Sequence, residues 1–227
     1  MTAVGPRAVD AKGSHRERKR ARTWAAIHLA AAESAALHDR LADVTVEAVA
    51  EQAEISPRTF FNYFKSKEDA VLGQQSPVMH DEIADGFHIE AGDDLVEKVA
   101  FLLLAVFRTS VHRLITYSDY VTLLDRHPEL TRRRLQHIDA VEALVADLVT
   151  ARLAESQVRS FPLPGHAGST GQTGRTIEET AHLLVTVAGA VMRTAMRPVL
   201  DLQGGTEGDA DAILRRTCAL FRQVTRP

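Results

Sequence analysis

The chain is predicted to be all-α, with an N-terminal three-helix unit containing a helix-turn-helix and a C-terminal helical bundle. Three observations predict this. Residues 44–72 hold three helix starts: Thr45, the Ser56-Pro57 pair with proline at the first helical position, and Ser66-Lys-Glu-Asp69 with capping-box spacing. Beyond Gly86 the apolar residues keep helical periodicity. The 227 residues, 45% hydrophobic, suffice for one or two sizeable cores, so a small domain plus a larger one is the natural division.

Taken in order, residues 1–13 read as a disordered basic arm and residues 14–37 as the first helix. Thr45 caps a short second helix with the apolar stripe Val46, Val49, Ala50 and Ala53. The next helix, from Pro57 to Phe64, is too short to stand alone, because isolated helices under roughly 12–15 residues are marginal in water. Phe60 and Phe64, at i and i+4, form its buried side, while Arg58, Thr59, Phe61, Asn62 and Tyr63 cover the rest. A cation, a hydroxyl, an amide and two rings suit phosphate contact and base-edge reading in a major groove. Ser66 starts a helix expected to run to about Asp85 and to bridge both domains.

Further helices are expected from Asp93 or Asp94 to about Arg113, from Ser118 to about Arg126, and from Pro128 through Leu153. Residues 156–175, rich in glycine, proline, serine and threonine, read as a mobile loop. Two last helices span Thr176 to about Leu202 and Glu207 to about Val224.

Net charge is -3, yet residues 1–22 carry seven Lys/Arg against Asp10 and Glu17. Such a run is either a solvated tail or a phosphate or minor-groove contact. The single cysteine, Cys218, forms no intrachain disulfide, fits a reduced cytoplasm, and reads as a small buried residue of the last helix rather than a redox sensor. The longest apolar run, Val99 to Phe107, is half of what a membrane span requires. The apolar stretch Trp24–Ala32 mimics a secretion signal but is interrupted by His28 and followed by Glu33, and is assigned to the first helix.

Enzymatic signals are missing. The glycines between Gly165 and Gly174 fail the phosphate-loop pattern on spacing, with Arg175 where lysine is required. The ten histidines show no ligand pairing and read mostly as surface or capping groups. No nucleophile elbow, cysteine pair or dinucleotide fingerprint occurs. No catalytic residue, metal or cofactor is expected.

The residues Thr45-Val46, Val49-Ala50, Ile55-Ser56, Thr59-Phe60-Phe61, Tyr63-Phe64 and Ser66-Lys67-Glu68 resemble the TetR family of transcriptional regulators, densely over about residues 20–72 and weakly beyond. The resemblance implies a DNA-binding domain at residues 14–72 and a ligand-binding and dimerisation domain at residues 73–227. It implies DNA contacts at Thr45, Arg58, Thr59, Phe61, Asn62, Tyr63 and Lys67, the last gripping a phosphate, with Arg16, Arg18, Arg20 and Arg22 of the basic segment beside them. Three departures stand out. Arg40 and Glu54 occupy helix-end positions where the family commonly has glycine, and Phe61 replaces a common tyrosine, losing a hydroxyl.

The resemblance also implies a cytoplasmic homodimer, paired through the last two helices, that blocks a palindromic double-stranded operator until a small molecule releases it. Ala188 and Gly189 would permit close helix approach, or equally serve an intramolecular core. The expected effector is hydrophobic, with at most one polar or anionic end. Its expected lining is Leu103, Phe107, Tyr117, Tyr120, Leu124, Leu144, Leu148, Val187 and Val191. The Arg58–Phe64 variant and the helix rooted at Pro128 look similar to an actinobacterial subgroup that includes mycofactocin-type regulators, which implies acyl-CoA ligands. Two other readings stay open: a constitutive repressor without ligand, and a helical small-molecule-binding scaffold that has lost operator binding.

Overall fold

The structure, a computed structural model, describes residues 10–156, 176–201 and 207–225. The described residues are all-α, with ten helices: α1 (Asp10–Leu37), α2 (Val46–Gln52), α3 (Pro57–Phe60), α4 (Lys67–Leu72), α5 (Asp81–Gly86), α6 (Leu95–Ser110), α7 (Tyr117–Arg126), α8 (Pro128–Glu155), α9 (Ile177–Asp201) and α10 (Glu207–Thr225). They form two compact units. Among the described residues, unit one is residues 10–75 together with Arg113–Arg133, and unit two is Ser76–His112 together with those from Arg134 onward. The C-terminal region expected as one stretch, 73–227, is therefore divided, because α7 and the first turn of α8 pack with the N-terminal helices.

In unit one, Trp24, Ile27, Ala31 and Ala35 of α1 meet Val49, Phe60, Phe64, Ala70 and Leu72, together with Tyr120, Leu123 and Leu130. The alanines let neighbouring backbones approach closely. The last carbonyls of α1 have no partner within the helix. Ser34 O receives a hydrogen bond from His38 Nδ1 at 2.7 Å, Ala36 O one from Arg126, and Ala35 O one from His127 Nε2 at 2.9 Å. This explains why residues 113–133 join unit one: they satisfy the end of its longest helix.

Two more ties are buried. His28, fully enclosed, donates from Nδ1 to Ala70 O at 2.7 Å and accepts at Nε2 from the Leu114 amide at 3.1 Å. Both ring nitrogens are used by a neutral imidazole, and burial above all holds its pKa below the ordinary 6.5, with Arg113 adding to the effect against the Ala70 bond. Asp69, also buried, takes Arg133 Nε at 2.7 Å and Nη2 at 3.0 Å.

The expected helix from Ser66 to about Asp85 is two helices. Gly73 takes the left-handed conformation (φ 63°, ψ 36°), and Gln74 N–H bonds back to Asp69 O at 2.9 Å, which closes α4. The short helix α5 begins only at Asp81.

Unit two is built on α6, whose buried residues Leu95, Val99, Ala100, Leu102, Leu103, Leu104 and Val106 lie on more than one face, as expected of a central helix. Against it pack Val141, Val145 and Val149 of α8, Leu184, Val185, Ala188, Val191 and Met192 of α9, and Leu214 and Cys218 of α10. Burial first, then Glu97 and Asp94, pushes the Cys218 thiol up to about 11, so it stays protonated at neutral pH. Ser110 and His137 are buried and hydrogen-bonded at 3.1 Å. His28 and His137 are thus interior bridges rather than surface or capping groups, and His127, although buried, does cap the end of α1.

The start of α7 is capped by Thr116 rather than Ser118. The basic segment expected as an arm to residue 13 is helical from Asp10; residues 1–9, the glycine-rich stretch 157–175 and residue 202 lie outside the described residues.

Candidate nucleic-acid interface

All three hydroxyl caps of the helix-turn-helix are in place. Thr45 Oγ1 accepts from Ala48 N–H, Ser56 Oγ from Thr59 N–H, and Ser66 Oγ from Asp69 N–H, each at 3.1 Å. Regular α-geometry in the recognition segment ends at Phe60, but hydrogen bonds continue. Asn62 N–H bonds to Thr59 O and Tyr63 N–H to Phe60 O, the tighter i−3 pattern, and Phe64 N–H returns to Phe60 O. Phe60 and Phe64 are buried with ring centroids 6.0 Å apart, and Phe64 lies 5.4 Å from Trp24.

This anchoring leaves Arg58, Phe61 and Asn62 exposed, at i, i+3 and i+4 of one helical turn. Thr59 is half-buried and its hydroxyl lies 2.8 Å from that of Ser56. Tyr63 is half-buried with the Arg20 guanidinium 5.9 Å from its ring centre, so α1 and the recognition segment meet through a cation on an aromatic face. Arg16, Arg18, Arg20 and Arg22 are all exposed on α1; Arg16 and Arg20 continue the stripe that buries Trp24 and Ile27, whereas Arg18 and Arg22 point elsewhere on the helix. Lys19 and Lys65 are exposed cations in the same segments that the expected set omitted.

Lys67 is differently employed. Its ammonium donates to Leu41 O at 2.6 Å and Val44 O at 2.8 Å, closing the 3-10 turn Leu41–Asp43, which leaves one of its three protons for anything else. The two glycine departures resolve in different ways. Glu54 takes the left-handed backbone that glycine would occupy (φ 55°), and Arg40 avoids it with an extended conformation (φ -123°, ψ 130°).

Residues 29–72 match the family model of bacterial regulatory proteins, tetR family. The N-terminal helical region is a tetR-type DNA-binding domain. The match supports a DNA-binding transcriptional regulator, and it covers α2, α3, α4 and the last third of α1. The arginines of α1 at residues 16–22 lie before it, and the whole of unit two lies after it. No curated protein matches the chain. Among the described residues no helix is long and apolar enough to cross a membrane.

The nine residues expected to line a ligand cavity are not brought together in one unit. Tyr117, Tyr120 and Leu124 belong with the core of unit one, where the Tyr120 ring stacks under Arg113 at 4.5 Å. Leu103, Phe107, Leu148 and Val191 belong with the core of unit two, while Leu144 and Val187 are half-buried there. Unit two also has an open groove of about 790 Å³, lined by Ala146, Asp147, Thr150, Glu178, Glu179, His182, Leu183 and Thr186. None of the expected lining residues borders it.

Proposed function

We propose that the chain works in the cytoplasm as a homodimeric repressor, binding a palindromic double-stranded operator through Arg58, Thr59, Phe61, Asn62 and Tyr63, with the arginines of α1 on phosphates. The observation that carries this reading is the recognition turn. Its apolar side is locked by Phe60 and Phe64, while Arg58, Phe61 and Asn62 stand free on the other. Thr45 and the remaining proton of Lys67 would add contacts at the flank. Dimerisation through α9 and α10 is supported by Leu220 and Val224, one helical turn apart on α10 and exposed at 52% and 84%. A Cβ at Gly189 would lie 2.6 Å from Glu142 Oε1, in the ion pair of Glu142 with Arg193, so this glycine makes room for a contact within the chain.

In this reading a hydrophobic effector, of acyl-CoA type if the subgroup resemblance holds, favours a dimer geometry that no longer fits successive grooves. A second reading is a constitutive repressor whose helical region only dimerises. The test is selection of duplexes from a random pool by the full chain. A palindromic consensus is expected, with log K falling against log salt with a slope on the order of -5 to -9 if roughly 6–10 phosphates are contacted. Equal affinity for scrambled DNA overturns the proposal.

A further inference from the structure

Phe61 is the most exposed aromatic ring of the described chain, at 58%. It is nevertheless fixed: its ring lies edge-on against Phe60, with centroids 5.4 Å apart and planes at 83°, and Phe60 is fully buried. Its backbone is the αR residue that closes α3, so the ring sits on a short, capped turn rather than on a loop. A large apolar surface held rigidly in water is unfavourable, by about 25 cal/mol for each Å² left uncovered. It is relieved when something apolar covers it.

The neighbours of Phe61 narrow what that cover is. Arg58 and Asn62, on the same turn, offer hydrogen bonds to base edges or phosphates. Phe61 offers none, having no polar atom beyond its backbone. In a major groove the apolar group presented by a base edge is the C5-methyl of thymine. Resting on the operator reading above, we propose that Phe61 is a specificity-determining residue that reads one thymine methyl in each half-site.

The experiment uses the full chain and a duplex it has selected from a random pool, with each thymine replaced in turn by deoxyuridine, which removes only the methyl. One position per half-site is expected to weaken wild-type binding about fourfold, the equivalent of one buried methyl-sized group. That same replacement should have no effect on Phe61→Ala, while the remaining thymines behave alike in both proteins. Phe61→Leu, which keeps an apolar side chain and guards against misfolding of the alanine variant, should retain a preference for thymine. Binding that tolerates uracil everywhere, or a uracil effect that persists in Phe61→Ala, overturns the assignment to Phe61 and leaves the operator reading standing. Failure of the wild-type chain to select any duplex overturns both.

Discussion

The two units hold themselves together by different means. Unit one ties its one long helix and the shorter ones around it through buried and half-buried polar bridges: His28 between Ala70 and Leu114, His127 on Ala35, Lys67 on Leu41 and Val44, and Arg133 on Asp69. Unit two stacks longer helices through aliphatic surface, and most of its charged pairs lie at the edge: Arg108 with Asp211, Arg193 with Glu142, and Arg222 with Asp94. Hydrogen bonds fix angles and distances, whereas aliphatic packing mainly fixes volume. A unit that, in the operator reading proposed above, holds three or four side chains at fixed positions against DNA gains from the first device. A helical bundle tolerates the second.

The contrast should be visible in substitutions. The largest effect is expected from Phe60→Ala, which empties the centre of the smaller core and should cost ~3–5 kcal/mol of unfolding free energy, read by chemical denaturation. Unchanged stability would mean that the faces of the recognition turn are assigned the wrong way round. Lys67→Ala comes next. It takes the ammonium from two carbonyls of a tight turn, of which Leu41 O keeps the Val44 amide while Val44 O loses its bond, so a loss of ~1–3 kcal/mol is expected, more than a surface lysine would give. Should stability hold while the salt slope of DNA binding falls by about one, Lys67 belongs to a phosphate instead.

A more gradual difference should follow pH. The pKa of His28 lies below 6.5 in the folded chain, so as pH falls through about 6.5 the unfolded state takes up a proton that the folded state refuses. Stability from this residue is full above that pH and is lost below it, until the folded pKa is reached. The fall in melting temperature between pH 7.5 and 5.5 should therefore be smaller in His28→Gln than in the parent protein. The smallest effect belongs to unit two. Arg193→Ala breaks an ion pair whose arginine is 42% exposed, and should change stability by only ~0–1 kcal/mol.

What the sequence made legible was local. The hydroxyl caps at Thr45, Ser56 and Ser66, the start of α8 at Pro128 and the split between buried Phe60 and Phe64 and exposed Arg58 and Asn62 all depend on neighbours a few residues away, and all stand in the structure. The end of α4 is also written locally, in Gly73 followed by Pro77, a signal that the expectation of one helix to about Asp85 passes over. The employment of Lys67, the interior placing of His28 and the membership of Tyr120 in unit one depend on partners 23 to 92 residues distant or more in sequence, as the bonds of Lys67 to Val44 and of His127 to Ala35 illustrate. Periodicity carries no information at that range. The two glycine-position departures read alike in the sequence and differ in the structure: Glu54 stands in the left-handed region and gives up about 1 kcal/mol, whereas Arg40 takes an extended backbone.

The bridge through His28 has a further consequence for the backbone it touches. Leu114 lies between α6 and α7, outside any helix, and half of its side chain faces solvent. An amide in such a place ordinarily trades its hydrogen for deuterium quickly. This one is bonded to a ring nitrogen at the centre of the unit, and the ring is itself held on Ala70, so the amide can exchange only when the connecting segment lifts off the imidazole. A deuterium-labelling experiment should find the Leu114 amide slower than its neighbours between α6 and α7, a protected point in a connecting segment.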